Sequence, residues 1–353
     1  MIEIAETKNK NSGFIKLFLK NLFPHKIDSK KEKSRKIIVL IALTVFLITG
    51  MVLLVNYIIA FFDKSGNEKL RDYYNTAAVS DDDSVKKFYE DNANALHDFA
   101  KLLEVNPDTI GWIKIGNTGI DYPVFKGEDN SFYLYHNYKK KYSRFGSVFA
   151  DYRTKIQKDD TSDITILYAH NMESTGEYFE KLTKFSTWET ELDYYKKTPV
   201  INYDTLFEKS KWKIFGAVYC TIDSKYGETF NYLDKLDFDD ESDFYEYMSK
   251  VMDRSMFYTD VDVKYGDKLL LLSTCYFPID RQVNGRFLLY ARKLRENESE
   301  EVDTGKAVIN PSPLLFDYYY KTQGGKWAGS NWDHSKIIGY DEWLNNKDEK
   351  SSD

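Results

Sequence analysis

The chain predicts a mainly β protein built on a closed eight-stranded β-barrel, with an N-terminal helix, a helix inserted between late strands, and a single transmembrane helix ahead of them. Three observations carry this expectation. After Pro107 the sequence breaks into eight short apolar segments, a density of strands that favours a closed sheet. Ile37 to Phe62 runs for 26 residues without a charge, enough to cross about 30 Å of hydrocarbon with some tilt. Between Cys220 and Leu269 the strand rhythm stops, and apolar residues recur instead at helical spacing.

Taken in order, residues 1–36 form a basic tail with ten Lys/Arg against four Asp/Glu, a net of +6. The remaining 39 basic and 52 acidic residues give −13, and together they make the −7 of the whole chain. Basic flanks stay on the cytoplasmic side, so residues 37–62 read as a retained signal anchor with everything after Phe62 outside. No small-residue cleavage site follows the apolar run, since Ala60-Phe61-Phe62 is bulky. In the tail, Gly13 to Phe23 mixes apolar residues with lysines, a pattern that suits the inner leaflet as well as it suits a solvated flank.

Residues 63–83 are polar, end in Asp81-Asp82-Asp83, and read as a spacer that need not fold. Ser84 can cap a helix whose apolar positions Val85, Phe88, Tyr89, Leu96, Phe99, Leu102 and Leu103 recur mostly at three and four, ending before Pro107. The eight strand segments follow: Trp112–Ile115, Tyr122–Phe125, Ser147–Ala150, Ile164–His170, Val200–Tyr203, Trp212–Cys220, Leu269–Cys275 and Phe287–Leu294. The inserted helix covers Glu241 to Phe257, with Phe244, Tyr245, Tyr247, Met248, Val251 and Met252 on one face, a pattern that favours packing on the barrel. A folded domain over 84–294 would then precede an extension of unknown role, 295–353, whose aromatic residues favour folding back on the barrel.

Composition narrows the function. With 42% hydrophobic and 16% aromatic residues the chain can bury a core. Its acidic exterior argues against nucleic acid as a partner. Two cysteines do not make a disulfide scaffold, and Cys220, inside an apolar run, reads as core filler. No Cys/His/Asp cluster has metal-ligand spacing, so neither metal nor cofactor is expected, and His97 and His136 receive no role. Asp121 and Asp151 could orient groups in a site, but turn or capping duty is the favoured reading for each.

Cys275 closes the apolar run Leu269 to Leu272 and lies eleven residues before Arg286, which opens the next. The thiolate is the nucleophilic form of cysteine, so a guanidinium that never deprotonates is a fitting companion. His170 ends the run Ile164 to Ala169 in the same way. A cysteine and a distant histidine delivered to one place by two strand ends is the arrangement of a thiol nucleophile with its acid/base partner.

Taken together, YAHNM at 168–172, LSTC at 272–275 and GRF at 285–287 resemble the three active-site blocks of sortases. NPDTIGWIKI at 106–115, IDYPVF at 120–125 and GSVFADYR at 146–153 resemble the upstream core of class B, so the likeness runs from about Asn106 to Leu294. It departs at Leu271, where the family usually has threonine, and at Ala169, where glycine is commoner. The resemblance implies Cys275 as nucleophile, His170 as general acid/base and Arg286 as the group that steadies the substrate carbonyl or oxyanion. Ser273, Thr274, Asn171 and Tyr276 are candidate substrate contacts, and the inserted helix a candidate for specificity.

The expected activity is transpeptidation: a C-terminal sorting motif on an exported protein is cleaved after threonine and passed to the amine of a cell-wall precursor or pilin. The location expected is the membrane of a Gram-positive cell, with the catalytic domain outside. Two alternatives use the same chain differently. A membrane-anchored cysteine endopeptidase would accept water instead of an amine, and a non-catalytic surface-binding protein would act through the aromatic segment from Pro311 onward.

Overall fold

The computed structural model describes residues 21–74 and 80–351, with side chains to Lys347. It divides into two compact units, Met1–Ser65 and Gly66–Asp353. The first contains most of helix α1, Lys30–Tyr74, which is long and apolar enough to cross a membrane. Its apolar side chains, Phe46, Leu47, Met51, Leu53 and Phe62 among them, are exposed, as a lipid-facing surface requires.

The second unit is the barrel with its surrounding helices. Its strands are β1 Thr109–Ile115, β2 Ile120–Phe125, β3 Phe149–Ala150 and β4 Ile164–Tyr168, then β5 Val200–Thr205, β6 Lys211–Thr221, β7 Leu269–Cys275 and β8 Gly285–Lys293. Each segment expected as a strand is one of these. They close in the order β1-β2-β3-β4-β7-β8-β6-β5, with β5 returning to β1. The pairs β2–β3 and β4–β7 are parallel and the others antiparallel. Gly111 lets β1 approach β5, because a Cβ there would stand 2.4 Å from the carbonyl oxygen of Asp204.

The four consecutive leucines of β7 have a structural reason. Leu269 and Leu271 pack outward into the cluster around the inserted helix. Leu270 and Leu272 point to the opposite face of the strand and are also fully buried, inside the barrel. A strand covered on both faces reads as a continuous apolar run instead of an alternating one.

At the N-terminal side the helix expected from Ser84 to Leu103 is in fact two. Asp82, not Ser84, is the cap: its carboxylate accepts from the backbone N–H groups of Ser84 and Val85 and starts α2, Asp83–Asp91. Asn92 then ends the helix by turning its side-chain amide onto the carbonyl of Phe88, and the chain re-enters helix at α3, Ala100–Val105. Residues 66–74, read from sequence as part of a spacer, are helical, while residues 75–79 of that spacer lie outside the described residues. Leu70, Tyr73 and Tyr74 join the cluster around Trp112, with the Tyr74 ring stacked on Trp112 at 4.7 Å.

The inserted helix is α4, Glu241–Arg254, and its aromatic face is buried against the barrel. The extension covers the outside of the same helix with Trp332, Ile337 and Tyr340. Two-residue strands tie it down: Val308–Ile309 pairs with Phe257–Tyr258, and Ile337–Ile338 runs parallel to Val263–Lys264.

Candidate active site

β4 and β7 run side by side in parallel, so their C-terminal ends emerge together. The ladder's last pair is Ser273 with Tyr168. Beyond it the two chains are held by side chains: the Thr274 hydroxyl donates to the Ala169 carbonyl at 2.8 Å, and the Asn171 amide donates to the Cys275 carbonyl at 3.1 Å. These bonds keep the segment carrying His170 beside the segment carrying Cys275. Arg286, on antiparallel β8, stands directly opposite Cys275 in register.

Cys275, His170 and Arg286 line one open pocket of about 220 Å³. All three are partly exposed, as groups that must meet a substrate require. Leu134, Phe149, Ile222 and Leu233 form its apolar walls, and Asn130, Tyr168, Tyr232, Ser273 and Thr274 its polar lining. Both cysteines are free thiols, and Cys220 is buried, with desolvation pushing its thiol up to about 12. Only Cys275 is therefore both accessible and placed at the pocket. Among the described residues no group of three or more His, Cys, Asp or Glu is placed to hold a metal ion.

The imidazole of His170 has Nε2 at 2.9 Å from the carbonyl oxygen of Leu134. That oxygen only accepts, so Nε2 carries the proton and the basic atom of the neutral ring is Nδ1. Arg286 is steadied through Nη1, which donates to the Asn284 side chain at 2.8 Å and to the Gly285 carbonyl at 3.0 Å. It forms no ion pair with a carboxylate among the described residues, which leaves the fork available for a ligand oxygen.

Ser273 and Thr274 line the pocket, but each already has a protein partner: the Ser273 hydroxyl meets the Tyr232 hydroxyl at 3.0 Å, and Thr274 meets Ala169. Asn171 braces the Cys275 backbone and has a buried Oδ1 without a hydrogen-bond partner. Tyr276 is 5% exposed and turns away toward Glu189, with its hydroxyl 3.1 Å from that carboxylate.

Sequence reasoning did not find Leu134, Tyr232 or the network under Tyr168. Asp151 is fully buried and accepts from Arg153, from Asn130 at 2.9 Å and from the Tyr168 hydroxyl at 2.9 Å. Burial opposes its ionisation, yet these donors outweigh burial and hold its carboxyl below the usual range. Leu134 ends a single 3-10 turn, Phe132–Leu134, and Tyr232 lies in a turn, both too short to show a period, so no local pattern marks them.

A thiol, an imidazole and a guanidinium around one pocket at the mouth of an eight-stranded barrel is the layout of sortase-type cysteine transpeptidases. No family model matches the chain. Sortase B of Listeria monocytogenes is 32% identical over 256 residues, covering 71% of this chain and 92% of that protein. Sortase B of Staphylococcus aureus is 26% identical over 248 residues, covering 70% and 91%. The crystal structure of sortase B from B. anthracis in complex with AAEK1 aligns with a TM-score of 0.53 at 26% identity, covering 68% of this chain and all of that one. The chain belongs to the class B sortases, and it is a cysteine transpeptidase.

Proposed function

We propose that Cys275 is the nucleophile, His170 the general acid/base and Arg286 the oxyanion donor of a transpeptidase that cleaves a C-terminal sorting motif after threonine. The observation that carries this reading is the meeting of the three side chains at one accessible pocket. His170 takes the proton of the Cys275 thiol, the sulfur attacks the threonine carbonyl, and the oxygen that gains charge is met by the donors of Arg286. When the C–N bond breaks, the leaving amine takes its proton from His170 and the acyl group stays on sulfur as a thioester. An incoming amine then attacks the thioester, gives its proton back to His170, and the C–S bond breaks to release ligated product. The acceptor is an amine of a cell-wall precursor or a pilin.

The uncharged stretch 37–62 of α1 serves as a retained anchor with the basic tail in the cytoplasm and the catalytic domain, 84–294, outside. Retention in the membrane after alkaline carbonate washing, with the barrel cleavable only by external protease in intact cells, is the outcome that fits.

Incubating the protein with short peptides that fix one threonine and vary its neighbours, with and without hydroxylamine, tests the chemistry. The expected result is an acyl mass on Cys275 and a hydroxamate product when the amine is present. Cys275→Ala and His170→Ala should each lower turnover by more than about a thousandfold, since removing either member of a coupled nucleophile–base pair costs nearly the whole effect. Acid product alone at every amine concentration would favour the endopeptidase, and a sulfur that never acquires the acyl group would leave a binding protein.

A further inference from the structure

Residues 276–284 connect Cys275 to Arg286, and they contain no helix or strand. Within the loop, Asp280 organises the turn, with its Oδ1 accepting from the Gln282 N–H at 2.8 Å. Residues 280–282 are held from outside at three points. The Arg281 guanidinium reaches Glu173 at 2.8 Å, the Tyr226 hydroxyl donates to the Gln282 carbonyl at 2.9 Å, and the Tyr318 hydroxyl donates to Asp280 Oδ2 at 3.1 Å. The last of these comes from the C-terminal extension, some forty residues beyond the loop.

The extension is seated there by shape as well as by that bond. Phe316 is 3% exposed and meets the edge of Tyr219, whose ring in turn meets Tyr276, the residue after the nucleophile. Tyr318 packs edge-on against Tyr226 at 5.1 Å, and Tyr319 stacks on Trp188 at 5.6 Å. Gly227 has φ +118, and a Cβ on it would stand 2.6 Å from the backbone nitrogen of Asp317. The chain beside Tyr226 is thus shaped to admit the helix Asp317–Gln323.

We propose that the C-terminal extension belongs to the active-site apparatus: Tyr318 is a positioning residue whose hydroxyl, through Asp280, holds the loop whose Asn284 steadies the Arg286 guanidinium beside Cys275. The inference rests on reading Cys275 and Arg286 as a catalytic pair. The extension acts here on the geometry of turnover and not on substrate contact, because none of its residues lines the pocket.

The test uses the full chain in detergent micelles, comparing wild type with Tyr318→Phe, which removes one oxygen and keeps the ring packing. Three quantities are read: kcat and KM on the best threonine peptide with hydroxylamine, the thermal midpoint, and amide exchange of residues 276–284 without substrate. A roughly fivefold fall in kcat, the size of one ordinary net hydrogen bond, is expected with KM and the midpoint unchanged and loop exchange accelerated. Asp280→Ala should fall further, and adding Tyr318→Phe to it should change nothing more. Wild-type kcat and wild-type exchange in Tyr318→Phe overturn the proposal, as does a kcat loss that merely follows a lowered midpoint. A wild-type protein inert toward every peptide removes the catalytic reading instead, and in that event faster loop exchange in Tyr318→Phe still upholds the clamp while unchanged exchange overturns it.

Discussion

At the scale of single residues, the pocket depends on a polar floor that does no chemistry itself. Asp151 has no exposure and accepts hydrogen bonds from Arg153, Asn130 and Tyr168, so removing its carboxylate leaves the half-buried Asn130 and Tyr168 donors and the Arg153 guanidinium without their shared acceptor. Asp151→Ala should therefore cost roughly 2–4 kcal/mol of folding stability, while Tyr168→Phe, which deletes one donor and leaves the others satisfied, should cost about 1 kcal/mol. Denaturant midpoints of the two variants check the ordering, and equal losses would contradict it. The contrast also marks how far sequence reaches at this scale. Cys275, His170 and Arg286 were legible because each lies at the end or the start of an apolar run, and strand ends are where a barrel exposes side chains. Asp151 read as a turn residue, because a buried network is visible only once separate segments have been brought together. The carbonyl of Leu134 could not be found at all, since a backbone oxygen carries no sequence signal.

At the scale of elements, apolar periodicity located every barrel strand and the inserted helix, because burial on one face or two imposes the pattern directly. It was less informative where polar side chains compete for the backbone. Ser84 and Asp82 are both good caps, and the sequence alone does not rank them. In the structure Asp82 takes two backbone donors, and the Ser84 hydroxyl itself donates to Asp82. Asp82→Ala should lower stability by about 1 kcal/mol and Ser84→Ala by less than about half of that, read from thermal midpoints and from helix content by circular dichroism. A larger effect at Ser84 would return the cap to the sequence-based position. Asn92 closes the first helix as its C-cap, with its backbone N–H and its side-chain amide both donating to the Phe88 carbonyl. The two-residue strands of the extension were beyond any periodicity argument, since two residues cannot display a period.

At the scale of the whole molecule, an ion network joins the extension to the barrel. Arg292 on β8 is 1% exposed and reaches Glu298 through two nitrogens, at 2.7 and 2.8 Å, and Asp262 at 2.8 Å. Lys213 on β6 also holds Glu298, at 2.8 Å, while Arg295 pairs with both Asp262 and Asp267. The Arg292 hydrogen bonds hold the Glu298 carboxyl well below its ordinary 4.5, with burial opposing and Lys213 assisting. A carboxyl depressed in the folded state contributes stability that is complete above its unfolded value and drains away as pH falls toward the folded one. Between roughly pH 5 and pH 2 the unfolded chain therefore takes up a proton at Glu298 that the folded protein still refuses, and stability drops. Asp262 is also held low by Arg295 and Arg292 against the cost of burial, and it adds a slope of the same sign. Glu298→Gln keeps the shape of the side chain but removes its charge, and should cost roughly 2–4 kcal/mol at neutral pH because it leaves a buried guanidinium underpaired. Its stability curve should be flatter on the acid side than that of the wild type, and the gap between the two should narrow steadily as pH falls from 5. Denaturant unfolding at a series of pH values gives both curves. Parallel curves with a constant gap would mean that Glu298 stabilises by packing and not by charge, and that the extension is held to the barrel chiefly by Trp332, Ile337 and Tyr340.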